Sequence, residues 1–136
     1  MATDGNVHFI TELKSKYTFD ETCDALAAEA ERREWKMPAV HDLQQSLAKS
    51  GKSVKPVKVI EICKPLYSGQ MLELNDERIM SVMMPCRISV YIKEDGNTYV
   101  ALINGGEMTA GLPEVIARVM KAASDETFEI VKTVTQ

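Results

Sequence analysis

Apolar residues change their spacing several times along this chain, and each change predicts an element. The stretch VHFITELKS at 7–15 is short, β-branched and apolar, as a first strand should be. From Thr18 the period becomes helical. Thr18 and Glu21 have the spacing of a capping box, in which each side chain satisfies the other residue's backbone N–H. Phe19, Cys23, Leu26 and Ala30 then share one helical face, with Glu29, Glu31, Arg32 and Arg33 outside it. WKMPAV at 35–40 predicts a brief extended piece, because Pro38 drives Met37 out of helical geometry. Asp42 and Gln45 repeat the capping logic for a short helix from about Asp42 to Ser50 with Leu43 and Leu47 as its contacts, and Gly51 suits a left-handed stop.

The second half is richer in strands. VKVIEIC at 57–63 predicts a strand, and RISVYI and TYVALI flank EDGN as a hairpin turning at Asp95 and Gly96. The connection between Cys63 and Cys86 predicts one or two short helical turns, capped at Ser68 and at Asn75 or Asp76. Leu112, Val115, Ile116, Val119, Met120 and Ala123 form the stripe of a second principal helix, with Pro113 tolerated only in its first turn. The tail TFEIVKTVTQ has strand-like β-branched residues, yet a continuing helix would bury Ile130 and Val134, and helix is the expectation. Together these elements predict an α+β fold of two layers, an antiparallel sheet with two main helices on one face.

Composition narrows the picture. A length of 136 residues suits a single domain spanning 1–136, and 45% hydrophobic with 26% charged residues suits a chain that folds unaided. A net charge of -4 with scattered basic residues argues against nucleic acid, whose binding relies on clustered Lys and Arg. The run Lys49, Lys52, Lys55 and Lys58 reads as a solvated loop. The start MATDGNVHF has no targeting pattern and no apolar run reaches membrane-spanning length, so the expected location is cytoplasmic, without membrane attachment. Three cysteines in that setting read as thiols rather than a disulfide framework.

The chemistry points to a sulfur-rich corner, SVMMPCR, entering the strand that starts at Cys86. If the strands ending at Cys63 and beginning at Cys86 are antiparallel, the two sulfurs are neighbours; parallel strands would hold them about 20 Å apart. Strand alternation sets Cys86 with Ile88, Val90 and Ile92 toward the helices, but Cys63 with Val57, Val59 and Glu61 on the other face. A disulfide would then need a bend at Pro65 or Pro85. Lys64 and Arg87 adjoin the thiols, and positive charge favours a thiolate.

VIEICKP, the spacer carrying Leu72, Leu74 and Asp76, and MPCRISVY resemble the domain-of-unknown-function family 302, with FDET and HDLQQSL extending the likeness from about Tyr17 to Ala123. This sequence departs from the family pattern at Lys64, where Asn is frequent, and at Met84, where Leu is usual. The resemblance implies a TATA-box-binding-protein-like β-α-β-β-β-β-α fold and a homodimer, and it implies no activity. The namesake fold's nucleic-acid role does not transfer with it.

Three functional classes follow. The first is a binding or sensing module for a small molecule or soft metal around Cys63, Pro65, Cys86, Arg87 and Glu61. The second is a thiol enzyme using Cys63 or Cys86, and the third a purely structural protein in which both are packed thiols. For a metal, Cys with Met suits copper(I) and Cys with His suits zinc, His41 being the one histidine a favourable fold could add. Met80, Met83 and Met84 read as core filler, Cys23 as core, and His41 with Asp42 as no triad because Asp42 caps a helix. His8, at a strand start, has no evident partner. Glu61 and Arg87 can pair on the face away from the helices, and NGGE lacks the Lys that a phosphate loop needs. Val57, Val59, Tyr91 and Tyr99 would leave that face apolar, which predicts homodimerisation through it or through the sheet edges.

Overall fold

The computed structural model describes residues 6–7 and 9–135; His8 lies outside the described residues. Six strands, β1 (Asn6–Val7), β2 (Ile10–Lys14), β3 (Lys36–Asp42), β4 (Val57–Cys63), β5 (Cys86–Ile92) and β6 (Thr98–Ile103), form one sheet in the order β1-β2-β6-β5-β4-β3. Every neighbouring pair is antiparallel. The helices are α1 (Phe19–Arg32), α2 (Leu43–Ala48), α3 (Pro65–Leu72) and α4 (Glu114–Lys132), with 3-10 turns at Asp76–Met83 and Gly105–Met108. None of the described helices is long and apolar enough to cross a membrane. The α+β architecture matches the sequence expectation.

Alternation builds the core. Ile60 and Ile62 of β4, Ile88 and Val90 of β5, and Val100 and Leu102 of β6 all face the helices and are buried. Leu26 and Ala30 of α1 and Ile130 and Val131 of α4 close the layer above them. A smaller cluster of Met71, Ile116 and Val119 holds α3 against α4. Burying a side chain of this kind contributes roughly 1.5–3 kcal/mol, so these rows carry most of the driving force.

Local signals fall where the sequence put them. The Thr18 box is complete, with both the Glu21 N–H donating to Thr18 Oγ1 and the Thr18 N–H donating to Glu21. Asp42 accepts from the Gln45 N–H at 2.9 Å. Gly51 sits at φ +78, and the Lys52 N–H reaches back to the Leu47 carbonyl at 2.9 Å, closing α2 in the way a left-handed glycine permits. Gly96 takes φ +81 in the hairpin between β5 and β6. The tail is helical to Lys132 and buries both Ile130 and Val134.

Three local boundaries differ from the sequence reading. The single first strand expected over 7–15 is instead two, β1 and β2, which pair antiparallel with Val7 opposite Ile10. The extended piece around Pro38 is a full edge strand, β3, because a register shift between Lys36 and Ala39 absorbs the proline while Ala39–Asp42 pair regularly with β4. The connection's first helix starts at Pro65, not near Ser68. Proline is at home in a first helical turn, where its missing N–H goes unused. Ser68 consequently lies within α3.

One polar knot joins the chain's two ends. Thr22, fully buried on the core face of α1, sits with its hydroxyl 2.6 Å from that of Ser15, and also donates to the Thr18 carbonyl at 2.7 Å. Ser15 Oγ donates to the carbonyl of Val134, just past α4. Thr22→Val keeps the shape and removes the hydroxyl, and should lower unfolding stability by about 1–2 kcal/mol in urea denaturation. An unchanged midpoint would show that the knot adds nothing.

Candidate functional site

The β4–β5 register places Ile62 opposite Cys86 and Glu61 opposite Arg87. The end of one strand and the start of the next therefore share one edge of the sheet. Cys63 follows Ile62 and pairs only with Lys36 of β3, across the register shift, before the chain turns into α3. It is the last residue of β4 and lies beyond the β5 pairing. Its Sγ lies 3.6 Å from the Ser68 hydroxyl of α3. The expectation that the two thiols face opposite ways is thus corrected: both border one cavity of about 50 Å³, together with Met71, Met84, Trp35 and Tyr67. Cys23, Cys63 and Cys86 are all free thiols.

A second, larger cavity of about 180 Å³ adjoins it, lined among others by Met83, Met108, Met120, Ser124 and Thr127. Pro85, Cys86 and Ala123 belong to both walls. Cys86 is thus the partition between an inner sulfur-rich compartment and an outer thioether-rich one. Ile103 and Val82, exposed at 42% and 77%, stand at the outer rim. The hydroxyl of Ser124 accepts the Gly105 N–H at 3.0 Å and so anchors the 3-10 turn that closes one side. A Cβ on Gly105 would come within 3.2 Å of the Ser124 Cβ, which keeps this approach close. A wider trough of about 970 Å³ runs along 53–57 and 91–95, remote from the cysteines and open to solvent.

The other expected site residues separate. Pro65 opens α3 and does not border either cavity, whereas Pro85 borders both. Arg87 reaches the outer rim. Glu61 faces away, on the open side of the sheet, where its carboxylate meets His41 Nε2 at 2.9 Å and Arg87 Nε at 3.9 Å. The anticipated Glu61–Arg87 pair exists, then, but it holds His41 as well. His41 is accordingly occupied on the face opposite the thiols. Met84 and Met80 pack against the smaller core cluster as expected of filler, while Met83 lines the outer cavity.

Electrostatics favours a neutral thiol at the partition. Burial pushes the Cys86 thiol above its ordinary range, and the nearby Cys63 adds to this, outweighing the Thr127 hydroxyl that favours its charge. Beside the inner cavity, Lys64 Nζ donates to Glu126 at 3.1 Å and the Tyr67 hydroxyl donates to the same carboxylate at 2.9 Å. Burial pushes Glu126 up, yet the Tyr67 and Lys64 hydrogen bonds prevail and hold it below the usual carboxylate range. The buried Trp35 indole N–H approaches closely enough to favour the same charge, although no acceptor meets it in hydrogen-bond geometry. Lys64 Nζ also lies 5.9 Å from the Trp35 ring and 5.7 Å from the Tyr67 ring.

Sequence reasoning missed Met71, Met108, Trp35, Tyr67 and Thr127. The α4 spacing did hold a signal, since Met120, Ala123, Ser124 and Thr127 recur at helical intervals on one face.

Comparison with known proteins adds a family. A model described as a domain of unknown function, DUF302, matches residues 11–134. A solved structure, the crystal structure of an uncharacterized conserved DUF302 protein from Bacillus stearothermophilus, superposes with a TM-score of 0.84 at 14% identity, covering 94% of this chain and 99% of that one. At that identity the likeness speaks for the fold alone. No curated protein matches.

A raised Cys86 thiol should resist alkylation. In a Cys23→Ser/Cys63→Ser variant, the iodoacetamide rate should stay low at neutral pH and climb only in alkali above the ordinary thiol range. A rate already saturated near neutrality would contradict this environment.

Proposed function

The chain belongs to the DUF302 family, a domain of unknown function, and we propose that it is a small-ligand binding or sensing module whose site is the corner around Cys63 and Cys86. The observation that supports this best is the outer cavity of about 180 Å³, walled by Cys86 and three thioethers. Volumes near 150 Å³ with apolar walls stay dry and accept a benzene-sized guest, whereas pockets for larger metabolites begin at roughly 300 Å³. An apolar, polarizable molecule of a few heavy atoms, sulfur-containing ones among them, fits that space.

Binding is favoured over thiol chemistry because the Cys86 thiol is held protonated by burial, and a nucleophilic cysteine works as its thiolate. A reducing compartment, the cytoplasm, suits three cysteines kept as thiols. The reading extends to a homodimer formed through the open face of the sheet by a second copy of the chain. Tyr91 and Tyr99 stack there with ring centroids 6.3 Å apart, beside Val57 and Val59, and the ion pairs Lys93–Glu12 and His41–Glu61 flank them.

Ligand binding is testable with dimethyl sulfide as the probe and methyl-labelled methionine NMR as the readout. The Met83, Met108 and Met120 methyl resonances should shift saturably, and Ala123→Phe should abolish the response while the spectrum stays folded. Shifts that never saturate, or that persist in the filled variant, would overturn the reading. Light scattering at micromolar concentration should give the mass of a dimer, and Val59→Lys that of a monomer. A wild-type monomer would refute the pairing.

A further inference from the structure

We propose that the inner cavity is a site for one soft monovalent metal ion, copper(I) or silver(I), held by the thiolates of Cys63 and Cys86 with the thioethers of Met71 and Met84 as further donors. The proposal rests on the reading of this corner as a ligand site and assigns its inner compartment a separate occupant.

Topology supplies the donors. Cys63 ends β4, Met71 lies in the last turn of α3, Met84 follows the 3-10 turn over Asp76–Met83, and Cys86 begins β5. These four residues, scattered over more than twenty positions of sequence, border the same cavity of about 50 Å³. That space is several times the 10–15 Å³ that admits one water, and far below the roughly 300 Å³ of an ordinary metabolite pocket. A single ion fits it. Ile62, Val119 and Ala123 add carbon to the wall beside the four sulfur residues.

The donor chemistry selects the ion. Thiolate and thioether together are soft ligands and select copper(I) over hard cations. A closed zinc site wants four ligands drawn from Cys, His, Asp and Glu. Among the described residues no group of three such side chains is placed to hold an ion, and His41 is engaged by Glu61 on the far face. Thioethers are what this cavity offers in their place.

Charge can be accounted for. Each thiol gives up its proton as its metal–sulfur bond forms, so two protons leave for one monocation and the metal stays in its own oxidation state. The complex carries one net negative charge. Ser68, with its hydroxyl 3.6 Å from Cys63 Sγ, can turn to donate to that thiolate. Lys64 belongs to the same wall, but its ammonium is shared with Glu126 at 3.1 Å and with the Trp35 and Tyr67 rings, so it meets only part of that charge. Because protons are released on binding, affinity should rise with pH.

The test is an anaerobic titration of the full chain with silver(I) nitrate in chloride-free buffer. Binding should saturate at one ion per chain with release of two protons to a pH indicator. The methyl resonances of Met71 and Met84 should shift, and Cys63 should become protected from N-ethylmaleimide. Cys63→Ser or Cys86→Ser should weaken binding by more than roughly 100-fold, beyond the cost of losing an outer-shell partner, and Met84→Leu on the order of tenfold. Cys86→Ala serves as a second variant if the serine disturbs packing, with the methionine spectrum reporting the fold. Equal uptake by Cys63→Ser/Cys86→Ser, or shifts confined to Met83, Met108 and Met120, would overturn the proposal. The two readings fail separately: loss of silver binding with an intact dimethyl sulfide response sinks this site alone, and the reverse sinks the outer one alone.

Discussion

The antiparallel pairing of β4 with β5 is the constraint on which the rest depends. Its register, Ile60 opposite Ile88 and Ile62 opposite Cys86, sends one apolar row from each strand beneath α1 and α4. It also folds back a chain segment of more than twenty residues so that its two ends meet. A slip by a single position would exchange the faces of every side chain in the strand. Isoleucines would then meet water, and Glu61 would enter the core. Burial of Ile60, Ile62, Ile88 and Val90 therefore fixes the placement of the thiols as well as the stability of the sheet.

The sheet keeps two kinds of chemistry apart. Toward the helices it is apolar and rich in sulfur, and the polar group there of Glu126 with Lys64 and Tyr67 is neutralised locally. Away from the helices, ionic networks flank the Tyr91–Tyr99 stack. Glu12 accepts from Lys93 at 2.7 Å and from the Tyr91 hydroxyl, and Glu61 gathers His41 and Arg87. Burial, reinforced by Glu12, holds the Tyr91 hydroxyl well above its usual range, so it stays a donor. Neither network touches the cavities beyond Arg87 at the outer rim.

What the sequence made legible was local. The caps at Thr18 and Asp42, the glycines at 51 and 96, and the stripe of α4 each state their geometry within a few neighbouring residues, and all of them hold in the structure. The meeting of Cys63 and Cys86 was also readable, since it needed only strand direction. The side on which Cys63 points was not, because that depends on where pairing with β5 stops and on the shift in β3. Thr22 reads as an ordinary polar helix residue until Ser15, brought beside it by β2, turns its hydroxyl into a core contact. The cavity walls are assembled from α3, α4, β5 and two 3-10 turns, and no periodicity within one element can announce a void between several.

The borders of the sheet bear on how the molecule behaves in a crowd. At one margin Pro38, which has no N–H to offer, falls inside the shift of β3. At the other, β1 spans only Asn6–Val7, and Ser15 beyond β2 is taken by a bridge to Thr135. Among the described residues, a stray extended segment thus meets an interrupted ladder at the β3 margin and a very short strand at the β1 margin, both of which hinder growth by strand addition.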